Sequence, residues 1–289
     1  MWKIIKQRLE TLKLLAVFVF SIGLWVLNLF IDSSGNNYTL RLLVIVYTLV
    51  IASSLYIIFS KRIFIKRDII TGFVLGAIAS IPNLDIAVFF VTFFAYVASM
   101  IILNDSEFKI LFLKEAKFKE IVIILTIVLA VIMLFCYSYG VEVVLYSFIQ
   151  TLRPAFSEEV VFRLFLFAIS ILIIDKNKKH VKSNMFLIYL IMIIPFTIAH
   201  YSEQVVEFGL IGFFRGMNAL NIIHYAFIAS YIMLKRDLLT SIVFHIVVNI
   251  VGATNMYSTM YATVENIWQN QSPTVIQMIL EDLIPILSK

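Results

Sequence analysis

A chain of 289 residues that is 62% hydrophobic and 14% charged, with a mean hydropathy of +0.99, carries more apolar surface than a soluble globule can hide. The net charge of +5 comes from lysines and arginines in short stretches between apolar runs, where such residues set topology rather than recognise an acidic partner. The aromatic share of 15% is mostly phenylalanine inside those runs, which excludes a nucleic-acid stacking surface, and the single cysteine, Cys136, cannot form an intrachain disulfide.

Apolar runs of about 18 residues recur along the chain, rich in Ile, Leu, Val and Phe without strict alternation. A bilayer offers no partner to open backbone groups, so the fold class is all-α: a polytopic transmembrane helical bundle with a polar intramembrane cavity. Lys3, Lys6, Arg8 and Lys13 precede the first run and no small-residue cleavage site follows, which predicts an uncleaved first helix at 14–31. Further crossings are predicted at 42–60, 69–82, 86–103, 121–139, 155–175, 185–200, 219–234 and 238–253, eight to nine in all. Residues 69–103 as one helix would be about 50 Å long, too long for one crossing. Pro82-Asn83-Leu84-Asp85 therefore reads as the turn of a hairpin. The phenylalanines at 89, 90, 93 and 94 read as lipid-facing or core, and 273–288 as an amphipathic or packed helix. No repeat or Gly/Ser linker divides the chain, so 1–289 forms one integral membrane domain.

The basic clusters Lys61/Arg62/Lys66/Arg67, Lys109/Lys114/Lys117/Lys119, Lys176/Lys178/Lys179/Lys182 and Lys235/Arg236 fall on the side of the N-terminus under this count. The N-terminus is therefore expected in the cytoplasm, with the acidic tail (Glu265, Glu281, Asp282) opposite. A multi-pass protein of a bacterial plasma membrane, contacting lipids and no nucleic acid, is the expected setting.

Ionisable residues inside spans are costly, so each is a candidate functional group. Those present are Glu158, Glu159 and Arg163 in one span, His200 at the end of the next, His224 in another, and His245 with Asn249 in the last. Glu159 and Arg163 are four apart on one helical face, with Glu158 about 100 degrees away. Phe196/His200 and His245/Asn249 repeat the four-residue spacing. The direction of each span puts Glu158, His200 and Asn249 in the outer half, with His245 near the midplane. A carboxylate beside a histidine can polarise water as a general base, while a second histidine and an amide stabilise a developing oxyanion. The same Glu158, His200 and His245 could instead hold zinc with an open position for water. Residue types leave both open: no cofactor, or zinc. His224 reads as hydrogen-bonded to a neighbouring helix and His180 as a solvated loop residue.

Glu158-Glu159-Val160-Val161-Phe162-Arg163 resembles an EExxxR motif, Phe196 through His200 an FxxxH motif, and His245 through Asn249 an HxxxN motif. Together, and in this order, they resemble the CaaX protease and bacteriocin-processing family, also called CPBP or Abi. The resemblance covers a core at about 150–252, with Leu164 standing where the family often has glycine. It implies an intramembrane endopeptidase acting on a peptide, prenylated or membrane-protein substrate, in prenyl-protein maturation, bacteriocin self-immunity or peptide maturation. It implies further that Glu158 activates water with help from His200, that Glu159 and Arg163 support the site, and that His245 and Asn249 form the oxyanion pocket. Members of the prenyl-protein type open their cavity to the cytosol, whereas the charge count places these motifs in the outer half. Two other classes compete: a non-catalytic membrane immunity or regulatory scaffold, and a proton- or cation-coupled transporter, the latter weakened by the lack of an inverted repeat.

Overall fold

The computed structural model describes residues 2–31, 38–61, 65–108, 110, 126, 129–130, 132–138, 140–174, 178–198, 200 and 217–252. Among these every regular element is helical, as the apolar runs predict. They are α1 (Trp2–Ile31), α2 (Tyr38–Lys61), α3 (Lys66–Ser80), α4 (Ile86–Asn104), α5 (Val141–Glu158), a π-helical segment (Glu159–Phe165), α6 (Leu166–Ile174), α7 (Lys178–Ser183), α8 (Met185–Ile198), α9 (Met217–Lys235) and α10 (Leu238–Gly252).

Two stretches are long and apolar enough to cross a membrane, Val44–Lys61 of α2 and Ile86–Asn104 of α4. The apolar helices Met185–Ile198, Ile222–Lys235 and Leu238–Gly252 are shorter. At a rise of about 1.5 Å per residue their described lengths fall short of a hydrocarbon core of about 30 Å, and two full-length apolar spans stand out among the described residues. The crossing expected at 121–139 lies largely outside the described residues, and the helix expected at 273–288 lies wholly outside them.

The bundle is organised around α4, which packs on α2, α3, the π segment and α6. Its span is 67% buried against 22% for that of α2, so α4 is a core helix while α2 keeps most of its surface for lipid. The predicted hairpin is present: Ile81 to Leu84 form the turn, and the Asp85 side chain caps α4 by accepting from Ala87 N at 3.0 Å and Val88 N at 3.3 Å. Leu84 reverses the chain at φ 50°, the left-handed region that costs a residue with a Cβ about 1–2 kcal/mol. Gly76 is required by proximity, because a Cβ there would lie 2.8 Å from the carbonyl oxygen of Phe89. At the other end Asn104 Nδ2 donates to Asp68 Oδ2 at 2.9 Å, closing α3 onto α4.

The span expected at 155–175 is the second part of a longer helical run from Val141 to Ile174. Glu142, Gln150, Arg153 and Pro154 lower the hydropathy of its first half, so that half does not read as a crossing. Gly140 starts the run at φ 86°, a conformation glycine adopts without strain. Arg153 Nη2 meets Asp85 Oδ2 at 2.9 Å, which ties α5 to the α3–α4 turn.

Candidate active site

Pro154 lies inside α5 and has no N–H to donate, so the helix already lacks one ladder bond just before the motif residues. One turn later the backbone widens into the π segment Glu159–Phe165, whose i→i+5 bonding admits an extra residue per turn and is found mostly at functional sites. Two adjacent glutamates thereby enter different surroundings: the Glu159 side chain is 0% exposed and that of Glu158 is 21% exposed.

Glu159 is a buried hub. Its Oε2 accepts from Ser241 Oγ at 2.6 Å, and its Oε1 accepts from Tyr225 Oη at 3.2 Å and lies 3.0 Å from His245 Nδ1. Arg163 Nε stands 3.7 Å from the same Oε1, and the guanidinium carbon lies 3.8 Å from the centroid of the Phe196 ring. A fully buried carboxylate is thus held by three hydrogen-bonding side chains and one cation, the condition under which a buried charge is tolerated. The Tyr225 ring stacks on Phe244 and meets His245 edge-on, so aromatic packing fixes the histidine plane.

This arrangement directs both histidines. A carboxylate accepts only, so His245 Nδ1 carries the proton shared with Glu159 and Nε2 turns the other way. His200 is set in the same manner, with Nδ1 donating to the carbonyl oxygen of Phe196 at 2.9 Å. Both Nε2 atoms stand 3.8 Å from one atom, Glu158 Oε2, which makes no hydrogen bond among the described residues. At 3.8 Å the three groups are too far apart to bond directly and close enough to share one water. The ionised Glu158 offers such a water an acceptor, and each Nε2 accepts from it when the imidazole is neutral and donates when it is protonated.

Glu158, His200 and His245 are the residues that could hold a metal. Zinc-ligating histidines do carry their second nitrogen on a carboxylate or carbonyl, as both do here. However, bonds of about 2.0–2.2 Å would require the groups to draw together, and among the described residues no three His, Cys, Asp or Glu side chains converge as a metal-holding group.

Of the residues singled out from the sequence, Glu158, Glu159, Arg163 and His245, carried by α5, the π segment and α10, are brought together with His200, two residues past the end of α8. Asn249 lies one turn beyond His245 on α10, half-buried, and makes no hydrogen bond within the cluster among the described residues. His224, expected to bond to a neighbouring helix, is exposed; the next residue, Tyr225, is the one that turns inward, because successive helix positions lie about 100 degrees apart. Reading the sequence missed Tyr225, Ser241 and Tyr47. Ser241 precedes His245 by four residues, a same-face spacing that could have drawn attention to it. Tyr47 of α2 lies near Ser157 and the charges of Glu158, Arg153 and Asp85, with no sequence signal linking it to them.

No curated protein and no solved structure matches the chain. Residues 140–251, a segment that holds α5 to α10 and leaves α1 to α4 outside it, match the family model of the Type II CAAX prenyl endopeptidase Rce1-like proteins, the family that the three motifs resemble.

Proposed function

We propose that this integral membrane protein is an endopeptidase that hydrolyses a CAAX-type, lipidated or otherwise membrane-borne segment, with water activated by Glu158. The observation that carries this reading is that Glu158 Oε2 is equidistant from two imidazole Nε2 atoms, 3.8 Å from each, with each imidazole oriented by a bond at its other nitrogen. Glu158 takes a proton from the water as its oxygen attacks the scissile carbonyl, and returns that proton to the leaving amide nitrogen as the C–N bond breaks. His200 holds the water. His245, whose Nδ1–H rests on Glu159, faces the reacting centre with Nε2, and as imidazolium it donates Nε2–H to the carbonyl oxygen on which negative charge develops. Asn249, one turn further along α10, is assigned to the same oxyanion.

The reading takes the water to be activated by the carboxylate and not by a resident metal, which the separations of the three groups favour. It also keeps the N-terminus in the cytoplasm, from the charge pattern. The test is cleavage of a quenched membrane-peptide library by the detergent-purified protein and by Glu158→Gln, each with and without a chelator. Cleavage by the wild type alone, indifferent to chelator, is expected, with a loss of about 10²–10⁴-fold in the variant. Chelator-sensitive cleavage would reassign the water to zinc. Equal biological activity of both forms with no cleavage would favour a scaffold, and proton-coupled uptake in proteoliposomes a transporter.

A further inference from the structure

Arg153 and Arg163 are the cations that the helical run of Glu158 carries on either side of it, and only one of them can be reached from outside. Arg163 is 0% exposed, with the Phe196 ring over its guanidinium and Glu159 beside it. The Arg153 side chain is 34% exposed and that of its partner Asp85 is 28% exposed, comparable to the 21% of Glu158 and the 36% of His200. Arg153 precedes Glu158 by five residues, which is about 7.5 Å along α5. Tyr47 of α2 lies near both charges, so the arginine and the candidate active site border one polar region beside α2.

Arg153 is held in place with donors to spare. Its Nη2 donates to Asp85 Oδ2 at 2.9 Å, and Asn83, with its amide oxygen turned toward the arginine, accepts from Nη1 at 3.0 Å. A guanidinium carries five N–H groups in a planar fork, so these two bonds leave others for a further acceptor. Asp85 is itself divided: its Oδ1 accepts from the backbone of Ala87 and Val88, at the N-terminus of α4, where the helix dipole also draws on the negative charge. An ion pair this exposed adds little to stability, and Asn83, Asp85 and Tyr47 lie outside the segment matched by the family model.

We propose that Arg153, held on the Asn83–Asp85 turn, binds a carboxylate of the substrate about two or three residues from the scissile bond, an assignment that rests on the endopeptidase reading. Extended peptide covers about 3.3–3.6 Å per residue, so two residues span about 7 Å and three about 10 Å. That matches the rise between Glu158 and Arg153 with the reach of the arginine side chain added. A guanidinium takes both oxygens of a carboxylate in parallel bonds, so the anion fixes the register of the peptide and brings one bond, not its neighbours, to Glu158. The carboxylate belongs either to the chain terminus or to an acidic side chain, and peptide chemistry separates the two.

Three forms of one membrane peptide, with the bond to be cut three residues from its end, test this on the full chain in detergent: the free acid, the C-terminal amide, and the amide with glutamate as its last residue. Wild-type kcat/KM is expected to be about tenfold higher for at least one carboxylate form than for the plain amide. Preference for the free acid alone assigns the site to the chain terminus, and preference for the glutamate form alone to an acidic side chain. Arg153→Gln is expected to remove most of the ratio, and Asp85→Asn, which frees the guanidinium while asparagine still caps α4, to raise it. Equal rates for all three peptides, or a ratio that neither variant moves, overturn the assignment, because a purely structural arginine changes all the rates together. Binding of the matching tripeptides to Glu158→Gln reads the site without the chemistry: tighter binding of the carboxylate form is expected, and loss of that preference on adding Arg153→Gln. If the wild type cleaves none of the peptides, the endopeptidase reading falls; if the tripeptides also bind alike, the carboxylate site falls with it.

Discussion

The α3–α4 hairpin and the Glu158–His245 cluster are neighbours, joined by the Arg153–Asp85 pair, yet they treat charge in opposite ways. In the hairpin each carboxylate is matched: Asp85 caps α4 and pairs with Arg153, and Asp68 accepts from Asn104. In the cluster Glu159 is matched by Ser241, Tyr225 and His245, but Glu158 Oε2 and all three guanidinium nitrogens of Arg163 make no hydrogen bond among the described residues. A buried polar atom left unmatched costs about 1–3 kcal/mol, so the hairpin is built for stability and the cluster gives some of it up. The division runs between adjacent residues: Glu159 is held by three side chains, while Glu158 Oε2 makes no hydrogen bond among the described residues.

The sharpest way to break this comparison is Glu159→Ala, which strands Arg163 as a buried charge and removes the acceptor of His245. It is expected to lower stability in thermal or denaturant unfolding by about 3–5 kcal/mol. Adding Arg163→Met should recover part of that loss; if the single variant unfolds with the wild type, Glu159 is not the hub. Next in size is Gly76→Ala, where the new methyl meets the Phe89 carbonyl and the hairpin opens. A loss of about 1–3 kcal/mol is expected, and no loss would mean that the close approach of α3 and α4 is dispensable. Leu84→Gly should raise stability by about 1 kcal/mol, because glycine relieves the left-handed backbone at the turn; a loss instead would show that the exposed leucine side chain is needed there. The smallest change is expected for Glu158→Gln, within about 0.5 kcal/mol of the wild type by the same unfolding measurement. Paired with the loss of cleavage, that near-zero value would separate the chemical glutamate from the structural one.

Much of the site was legible because ionisable residues are rare in apolar runs and stand out wherever they occur. Glu158, Glu159, Arg163, His200 and His245 were found that way, and the structure brings them into one cluster. The i,i+4 spacing also joined Glu159 to Arg163 correctly, although the backbone between them is π-helical and not α-helical. Tyr225 and Ser241 stayed hidden because hydroxyl residues are common in membrane helices and carry no mark of their partner. The first half of α5 was missed because hydropathy reports the average polarity of a window, and a helix with one polar face fails that test.

By itself the sequence determined that the chain is helical and membrane-borne, where the hairpin turns and which side chains are chemically exceptional. These follow from local composition and from the cost of unpaired backbone in lipid. Only the tertiary structure decided which nitrogen of each histidine faces Glu158, that the neighbouring glutamates lie in different surroundings, and that α1 and α2 line an apolar cavity. Those outcomes depend on contacts between residues such as Glu159 and His245, 86 positions apart, whose meeting no local pattern encodes.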